Sequence, residues 1–218
     1  MDRGQHVFYP VVTRRDNYSK KENGEYYHYQ HYRQEIRDDC LKRCVYCDIQ
    51  ETECGGEELM ELEHFRPQKY FAALSNDPHN LVYSCSGCNR LKSDHWPSLN
   101  GNQDILVTAE GEGFLDPFSI NRNEYFLVMD NGEIEDLQAP AKYMILLLAL
   151  NRESRRRLRE IRIEKIRVIE MLDKKISDFQ NFLNQNSFPE EQQKYFDDFQ
   201  TSLLSIREKI VMCLVFDL

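Results

Sequence analysis

The chain has 218 residues, of which 41% are hydrophobic and 30% are charged, with a formal net charge of −9. This composition is typical of a folded globular protein with one core, or with a small domain and a helical partner. The longest apolar run, 144–150, is far too short to cross a bilayer, which excludes a membrane-spanning helix. The first ten residues do not form a basic segment followed by an apolar one, so we expect a cytoplasmic protein without a membrane partner.

The first 43 residues are predicted to form an N-terminal arm and a helix. The helix is expected over 25–43, which contains neither Gly nor Pro. Its tyrosines and histidines between Tyr26 and Tyr32 are close enough to form one aromatic face. Such a face could stack on nucleic-acid bases, but packing against a neighbouring element is the more common use of this pattern.

Three further regions follow along the chain. Residues 44–97 form a compact unit that contains both cysteine pairs, and 98–139 are predicted to be loop and β-hairpin. The hairpin is expected over 125–137 because Asp130-Asn131-Gly132 joins two strand-like runs.

The last region, 140–218, has a helical pattern. It predicts a short apolar helix over 140–149 and a long helix over 151–185, whose apolar residues recur at steps of three and four. Ser187 and Pro189 are typical of the start of another helix. The apolar positions of that helix, including Cys213, repeat the same steps, so the two long helices should pack as an antiparallel hairpin. The overall fold class is therefore predicted to be α+β.

Seven cysteines require an explanation in a cytoplasmic protein, where disulfides are disfavoured. Two pairs have the C-x-x-C spacing, with 37 residues between them. Two such turns can supply the four tetrahedral thiolates of a structural zinc site. We therefore predict a structural Zn²⁺ bound by four cysteines, namely Cys44, Cys47, Cys85 and Cys88. Cys40 and Cys54 are the less favoured substitutes, and Cys213 is predicted to belong to the core of the last helix.

The residues between and after the cysteine pairs complete a pattern. The segment "MELEHFRP" contains Glu63 and His64, Asn80 follows, and Asn89 comes directly after the last cysteine of "SCSGCNRLK". This order resembles the HNH endonucleases of the zinc-containing ββα-metal type. The resemblance covers about a quarter of the chain. Glu63 departs from it slightly, because many members have Asp there.

The resemblance implies a phosphodiester hydrolase with specific residue roles. His64 would be the general base, and Glu63 and Asn89 would hold a catalytic Mg²⁺ or Mn²⁺. Asn80 would fix the segment that carries the histidine. A neutral imidazole can take a proton from water near pH 7, and a divalent ion bound to oxygen donors can stabilise the leaving oxygen. However, adjacent side chains in a regular strand face opposite sides, so Glu63 and His64 need a strand end to act on one phosphate.

Other basic residues are predicted to contact a phosphate backbone. Lys92 lies one helical turn after Asn89, and His95 is a weaker candidate. Residues 151–167 contain eight Lys and Arg against three Glu, a local net charge of +5. The cluster Arg155, Arg156 and Arg157 in this segment could follow a nucleic acid, dock on an acidic partner or be a solvated helix face.

A longer stretch of the sequence, from "LEHFRPQKYF" to "GFLDPF", resembles the HNH companion nucleases of ATPases in Septu-type and retron-associated anti-phage systems. That resemblance implies a DNA endonuclease acting in antiviral defence with an ATPase partner. RNA, such as a tRNA, is an alternative substrate for the same site. The non-enzymatic alternative is a zinc-knuckle module that binds a partner.

Overall fold

The computed structural model describes residues 8–97 and 106–215, with side chains up to Met212. The chain divides into two compact units, of which the first ends at Arg159 and the second begins at Glu160. This division lies within the long helix predicted over 151–185, after the domain boundary predicted at 139/140. The start of the predicted loop, 98–105, and the side chain of Cys213 lie outside the described residues.

The N-terminal part of the first unit contains one short α-helix, α1 (Arg33–Asp39), preceded by a 3₁₀ turn over Tyr29–Tyr32. The helix predicted over 25–43 is therefore wrong at both ends. Before α1, Tyr26 pairs with Lys20 in a β-bridge. The buried Tyr32 hydroxyl accepts from the Tyr27 amide and donates to the Ser19 carbonyl, which holds the chain out of a helix. After it, Leu41 and Lys42 have positive φ angles of 55° and 52°, which end the helix.

The centre of the first unit is a two-stranded antiparallel sheet followed directly by a helix. A short helix, α2 (Glu51–Cys54), precedes strand β1 (Met60–His64). Strand β2 (Leu81–Cys85) pairs with β1 in a register that sets Met60 opposite Cys85 and His64 opposite Leu81. Helix α3 (Ser86–Lys92) begins at the end of β2. Every residue of β2 is buried, so the sheet is part of the core.

A second small sheet and a short helix complete this unit. Strands β3 (Phe126–Val128) and β4 (Ile134–Asp136) form the predicted hairpin, and Gly132 in its turn has a φ of 74°. Helix α4 (Ala141–Leu147) lies within the predicted 140–149. The next helix, α5 (Glu153–Gln185), is tied to the hairpin at its start, because Asn151 exchanges two hydrogen bonds of 2.8 Å with the Ile134 backbone.

The second unit is a helical pair, formed by the rest of α5 and by α6 (Glu190–Val215). Phe179 packs against Phe196 and Phe199 near the connection between the two helices. Asp173 pairs with Arg207 further from that connection, so the helices are antiparallel. On α5 the predicted apolar positions, Ile169, Leu172, Ile176, Phe179 and Leu183, are less exposed than their neighbours. On α6 the predicted position Ile206 is 49% exposed, and Phe199 is 46% exposed although it contacts Phe179.

These elements give a mixed α+β architecture with two small antiparallel sheets and a C-terminal helical pair. The α+β class and the helical pair agree with the sequence prediction. Within the described ranges, none of the helices is both long enough and apolar enough to cross a bilayer.

Candidate metal centre and active site

The four predicted zinc ligands lie together in the interior of the first unit. Cys44 and Cys47 come from a tight turn closed by the Cys44–Ile49 and Asp48–Cys44 backbone hydrogen bonds, both 2.9 Å. Cys85 ends β2, and Cys88 lies in the first turn of α3. All four sulfurs lie within 4.8 Å of one another, and all four residues are buried.

The spacing of the sulfurs suits a zinc ion. A tetrahedral site with Zn–S bonds of about 2.3 Å places its sulfurs about 3.8 Å apart. The Cys47 and Cys85 sulfurs are 3.8 Å apart. This four-cysteine cluster could therefore hold a zinc ion.

The two substitute ligands are occupied elsewhere. The Cys40 sulfur accepts a hydrogen bond from the Tyr83 amide, and burial raises the pKa of its thiol to about 12. The Cys54 thiol donates to the Leu59 carbonyl at 3.8 Å. Neither belongs to the four-cysteine cluster.

Two arginines border the four-cysteine cluster. Nη2 of Arg152 donates towards Cys88 at 3.5 Å, Cys85 at 3.7 Å and Cys47 at 4.0 Å. Nη2 of Arg155 donates to Cys85 at 3.5 Å. Four thiolates and a zinc ion carry a formal charge of −2, which two guanidinium groups balance. The structure thus places Arg155 at the cysteines, whereas the sequence left a nucleic acid, an acidic partner and solvent as alternatives for its surroundings.

Arg152 was missed by the sequence reasoning, although a signal exists. Gly87 lies between the last two cysteines, and a Cβ there would be 3.4 Å from Nη2 of Arg152. At that distance a Cβ would make an ordinary van der Waals contact, so the glycine is compatible with Arg152 but does not indicate it. The signal is the excess of positive charge in 151–167, which includes Arg152.

Glu63 lies on the face of β1 that is turned towards α3. Its side chain is only 4% exposed. Lys92, whose side chain is fully buried, donates to Oε1 at 2.5 Å, and the Tyr46 hydroxyl donates to Oε2. Burial raises the pKa of Glu63, while the charge of Lys92 opposes that rise. Lys92 is thus an interior counter-ion, and neither a surface phosphate contact nor a solvated lysine.

Tyr46 and Lys92 connect Glu63 to the cysteine cluster. Tyr46 lies between the two cysteines of the first pair, and Lys92 is one turn beyond Cys88 on α3. The second Lys92 hydrogen bond, 3.2 Å to the His64 carbonyl, fixes the end of β1. The four-cysteine cluster and Glu63 therefore share one scaffold.

His64 is the next residue of β1, and its hydrogen bond is to a different part of the chain. Nε2 lies 2.9 Å from the Ser75 carbonyl, and the ring is half-buried beside Tyr29. Because a carbonyl can only accept, Nε2 carries the proton of the neutral ring and Nδ1 is left as an acceptor. Burial lowers the pKa of His64, which keeps the imidazole neutral at pH 7.

Asn80 lies at the end of a 3₁₀ turn just before β2 and holds the segment after His64. Its side chain accepts from the Arg66 amide at 2.9 Å and donates to the Arg66 carbonyl at 3.0 Å. Its backbone carbonyl accepts from the Phe65 amide at 2.9 Å. Three hydrogen bonds thus fix the turn away from β1.

Asn89 lies on the side of α3 that is turned towards β1, but its hydrogen-bond partner is Glu61. Nδ2 of Asn89 donates to Oε2 of Glu61. Glu61 and Glu63 are alternate residues of β1, and Asn89 and Lys92 are three apart on α3, so two pairs form side by side. Glu61 was missed, although its position two residues before Glu63 is the signal for a shared face.

The remaining predicted phosphate contacts, His95, Arg156 and Arg157, are at least partly exposed. His95 is exposed, and its ring nitrogen hydrogen-bonds the Lys92 carbonyl at 2.9 Å. Arg156 pairs with Glu133 at 3.4 Å, with both side chains partly exposed. Arg157 is exposed on α5.

Comparison with known proteins gives no further identification. No protein-family model, curated protein or solved structure matches this chain. The likeness to HNH nucleases is therefore one of residue types and spacing.

Proposed function

We propose that this protein is a metal-dependent endonuclease of the HNH type that hydrolyses phosphodiester bonds, with DNA as the favoured substrate. The observation that carries the proposal is the neutral, oriented imidazole of His64 at the end of a strand whose other face holds Glu63. The β1–β2–α3 order around the four-cysteine cluster supports it.

The donor groups beside α3 have the chemistry of a Mg²⁺ or Mn²⁺ site. Glu63 and Asn89, with Glu61 beside them, offer carboxylate and amide oxygens, which hard divalent ions prefer. A bound ion would supply charge stabilisation for the phosphate and its leaving oxygen. The Lys92 ammonium now provides the positive charge at Glu63.

The protein's own residues supply the general base and its orientation. Nδ1 of His64 takes a proton from the attacking water, while the Ser75 carbonyl holds the Nε2 proton and stabilises the imidazolium that forms. Asn80 keeps the turn after His64 in place.

A protein partner belongs to the proposal, because the acidic chain has no overall charge that favours nucleic acid. The second unit exposes large apolar side chains, among them Met171 at 58% and Tyr195 at 69%. Such exposure is typical of a surface that binds another protein. An ATPase of an anti-phage system is the partner that we favour.

The test is cleavage by the purified full chain. Supercoiled plasmid and total RNA are incubated separately with Mg²⁺, with Mn²⁺ or with chelator, alone and with the cellular partner. We expect nicked or linear plasmid with metal, and a loss of at least about 100-fold in His64→Ala. Equal activity, or equal inactivity with the partner present, would refute the catalytic role of His64. Cleavage of RNA alone would correct the substrate.

A zinc-knuckle binding module is the second candidate, and one observation favours it. The buried Glu63–Lys92 pair neutralises the carboxylate without any metal ion. A module of this kind would bind its partner equally well after His64→Ala and would cleave neither nucleic acid.

A further inference from the structure

A chain of aromatic rings leads from the surface of the first unit to His64. The ring centroid of Tyr29 is 4.8 Å from that of His64, at an interplanar angle of 65°. The His28 ring lies 4.5 Å from Tyr29, at 40°. His28 is exposed, and both Tyr29 and His64 are half-buried.

One loop anchors the backbone of Tyr29 and the ring of His64. The Tyr29 amide donates to Oδ1 of Asn76 at 3.1 Å, and the Ser75 carbonyl bonds Nε2 of His64 at 2.9 Å. Because adjacent residues hold the Tyr29 backbone and the His64 ring, and the Tyr29 ring packs on that of His64, the two rings are in place before any ligand arrives. Preorganised rings lose little conformational entropy on binding.

Packing accounts for some of the predicted aromatic face but not for all of it. Tyr32 is fully buried, and its hydroxyl donates to the Ser19 carbonyl at 2.7 Å, which is a structural role. His28 and Tyr29 instead remain at least partly exposed next to His64, the candidate general base. Exposed rings beside a phosphodiesterase centre are suited to stack on a nucleobase.

We infer that His28 and Tyr29 form a stacking site for an unpaired nucleobase, next to the phosphate at which His64 activates the attacking water. This inference rests on the proposed function for the position of the phosphate. The base must be unpaired, because both of its faces are covered within a duplex. Stacking does not depend on charge, so it can hold a strand on a chain of net charge −9. The preferred substrate is therefore single-stranded, or unpaired at the point of cleavage.

The test is equilibrium binding, which does not require cleavage. In a His64→Gln background, fluorescein-labelled single strands of DNA and RNA and a matched duplex are titrated with the full chain. We expect His28→Ala and Tyr29→Leu to weaken single-strand binding by about 5-fold to 150-fold, the range of aromatic–base stacking. Tyr29→Phe should bind as the parent does, and so should Tyr125→Leu, which changes a partly exposed tyrosine beside the hairpin.

An abasic strand separates stacking from other effects of the substitutions. Removing the nucleobase at the stacking position should weaken binding of the strand to the parent protein. It should not weaken binding to Tyr29→Leu any further. Circular dichroism and thermal unfolding show whether each variant is folded. If Tyr29→Leu does not fold, His28→Ala alone tests the stacking site. Unchanged binding by a folded His28→Ala and Tyr29→Leu, or equal losses on duplex and single strand, would overturn the inference.

The outcome is distinguishable from failure of the nuclease proposal. If the rings matter for binding while no metal supports cleavage, the stacking site stands and the nuclease falls. If plasmid or RNA is cut and the ring variants bind normally, the nuclease stands and the stacking site falls. Comparing the DNA strand with the RNA strand shows which nucleic acid supplies the base.

Discussion

The four-cysteine cluster and the Glu63–His64 strand end were both predicted from residue spacing, but the structure gives the two regions different kinds of geometry. In the cluster, each sulfur is placed by a short turn, and two turns bring all four within 4.8 Å. At the strand end, adjacent side chains leave β1 on opposite faces and find partners in separate elements. Spacing within a turn determines geometry, whereas adjacency in a strand determines only which faces are used.

The largest expected effect is at the cluster. In Cys88→Ser we expect the zinc content to fall from one ion per chain to almost none. Structural zinc contributes about 10–16 kcal/mol in small zinc domains. A domain of this size is stable by only about 5–15 kcal/mol, so the first unit should not fold.

Elemental analysis of the purified protein and its thermal unfolding measure both effects. Cys54→Ser is the matched control, because that cysteine lies outside the cluster. If Cys88→Ser retained its zinc and its unfolding transition, the cluster would not be a structural metal centre.

The next effect concerns the buried ion pair at the strand end. Lys92→Met leaves the Glu63 carboxylate buried without its counter-ion, which should cost about 3–5 kcal/mol of unfolding free energy. Replacing both residues, as Glu63→Gln with Lys92→Met, should recover most of the loss, because no unpaired charge is left. Urea unfolding of the single and double variants measures the coupling.

Lys69→Met is the control for this pair. Lys69 also pairs with an acid, Asp94, but its side chain is 62% exposed, so its removal should leave stability unchanged. Equal losses in the two lysine variants would show that the Glu63–Lys92 pair is solvated.

These two regions also show what can be read from the sequence. The α+β class, the hairpin turn at Gly132 and the four cysteines depend on local patterns, so a single sequence predicts them. The helix over 25–43 was wrong because the decisive contact, from the Tyr32 hydroxyl to Ser19, is not local.

At the candidate site, residue types were predictable and partners were not. Lys92 was expected at the surface because a lysine usually keeps its charge in water. It is buried because Glu63, distant in sequence, offers a counter-charge. The pairing of Asn89 with Glu61 depends in the same way on how α3 lies against β1.

A smaller effect tests how the cluster depends on its neighbours. Arg152→Gln and Arg155→Gln remove guanidinium groups that donate to the sulfurs. Residues that support metal ligands in this way typically contribute 10-fold to 100-fold in metal affinity. We expect a loss of that size, and faster zinc release, in competition with a chromophoric chelator.

Arg157→Gln is the matched control, because Arg157 is exposed on the same helix. The pair of arginine variants should keep the zinc that Cys88→Ser loses, but hold it less tightly. If all three arginine variants released zinc at the parental rate, Arg152 and Arg155 would have no influence on the metal.

The smallest effect is a pH dependence at the strand end. Burial lowers the pKa of His64 below its ordinary value of 6.5, so the folded state binds fewer protons there than the unfolded state. The stability that this residue contributes is therefore present above about pH 6.5 and is lost as the pH falls through the folded pKa. The slope cannot exceed about 1.4 kcal/mol per pH unit for one group. We expect the unfolding free energy of the parent, relative to His64→Gln, to decrease on acidification in urea titrations. An increase would mean that the folded protein favours a charged imidazole, and a charged imidazole cannot be the general base.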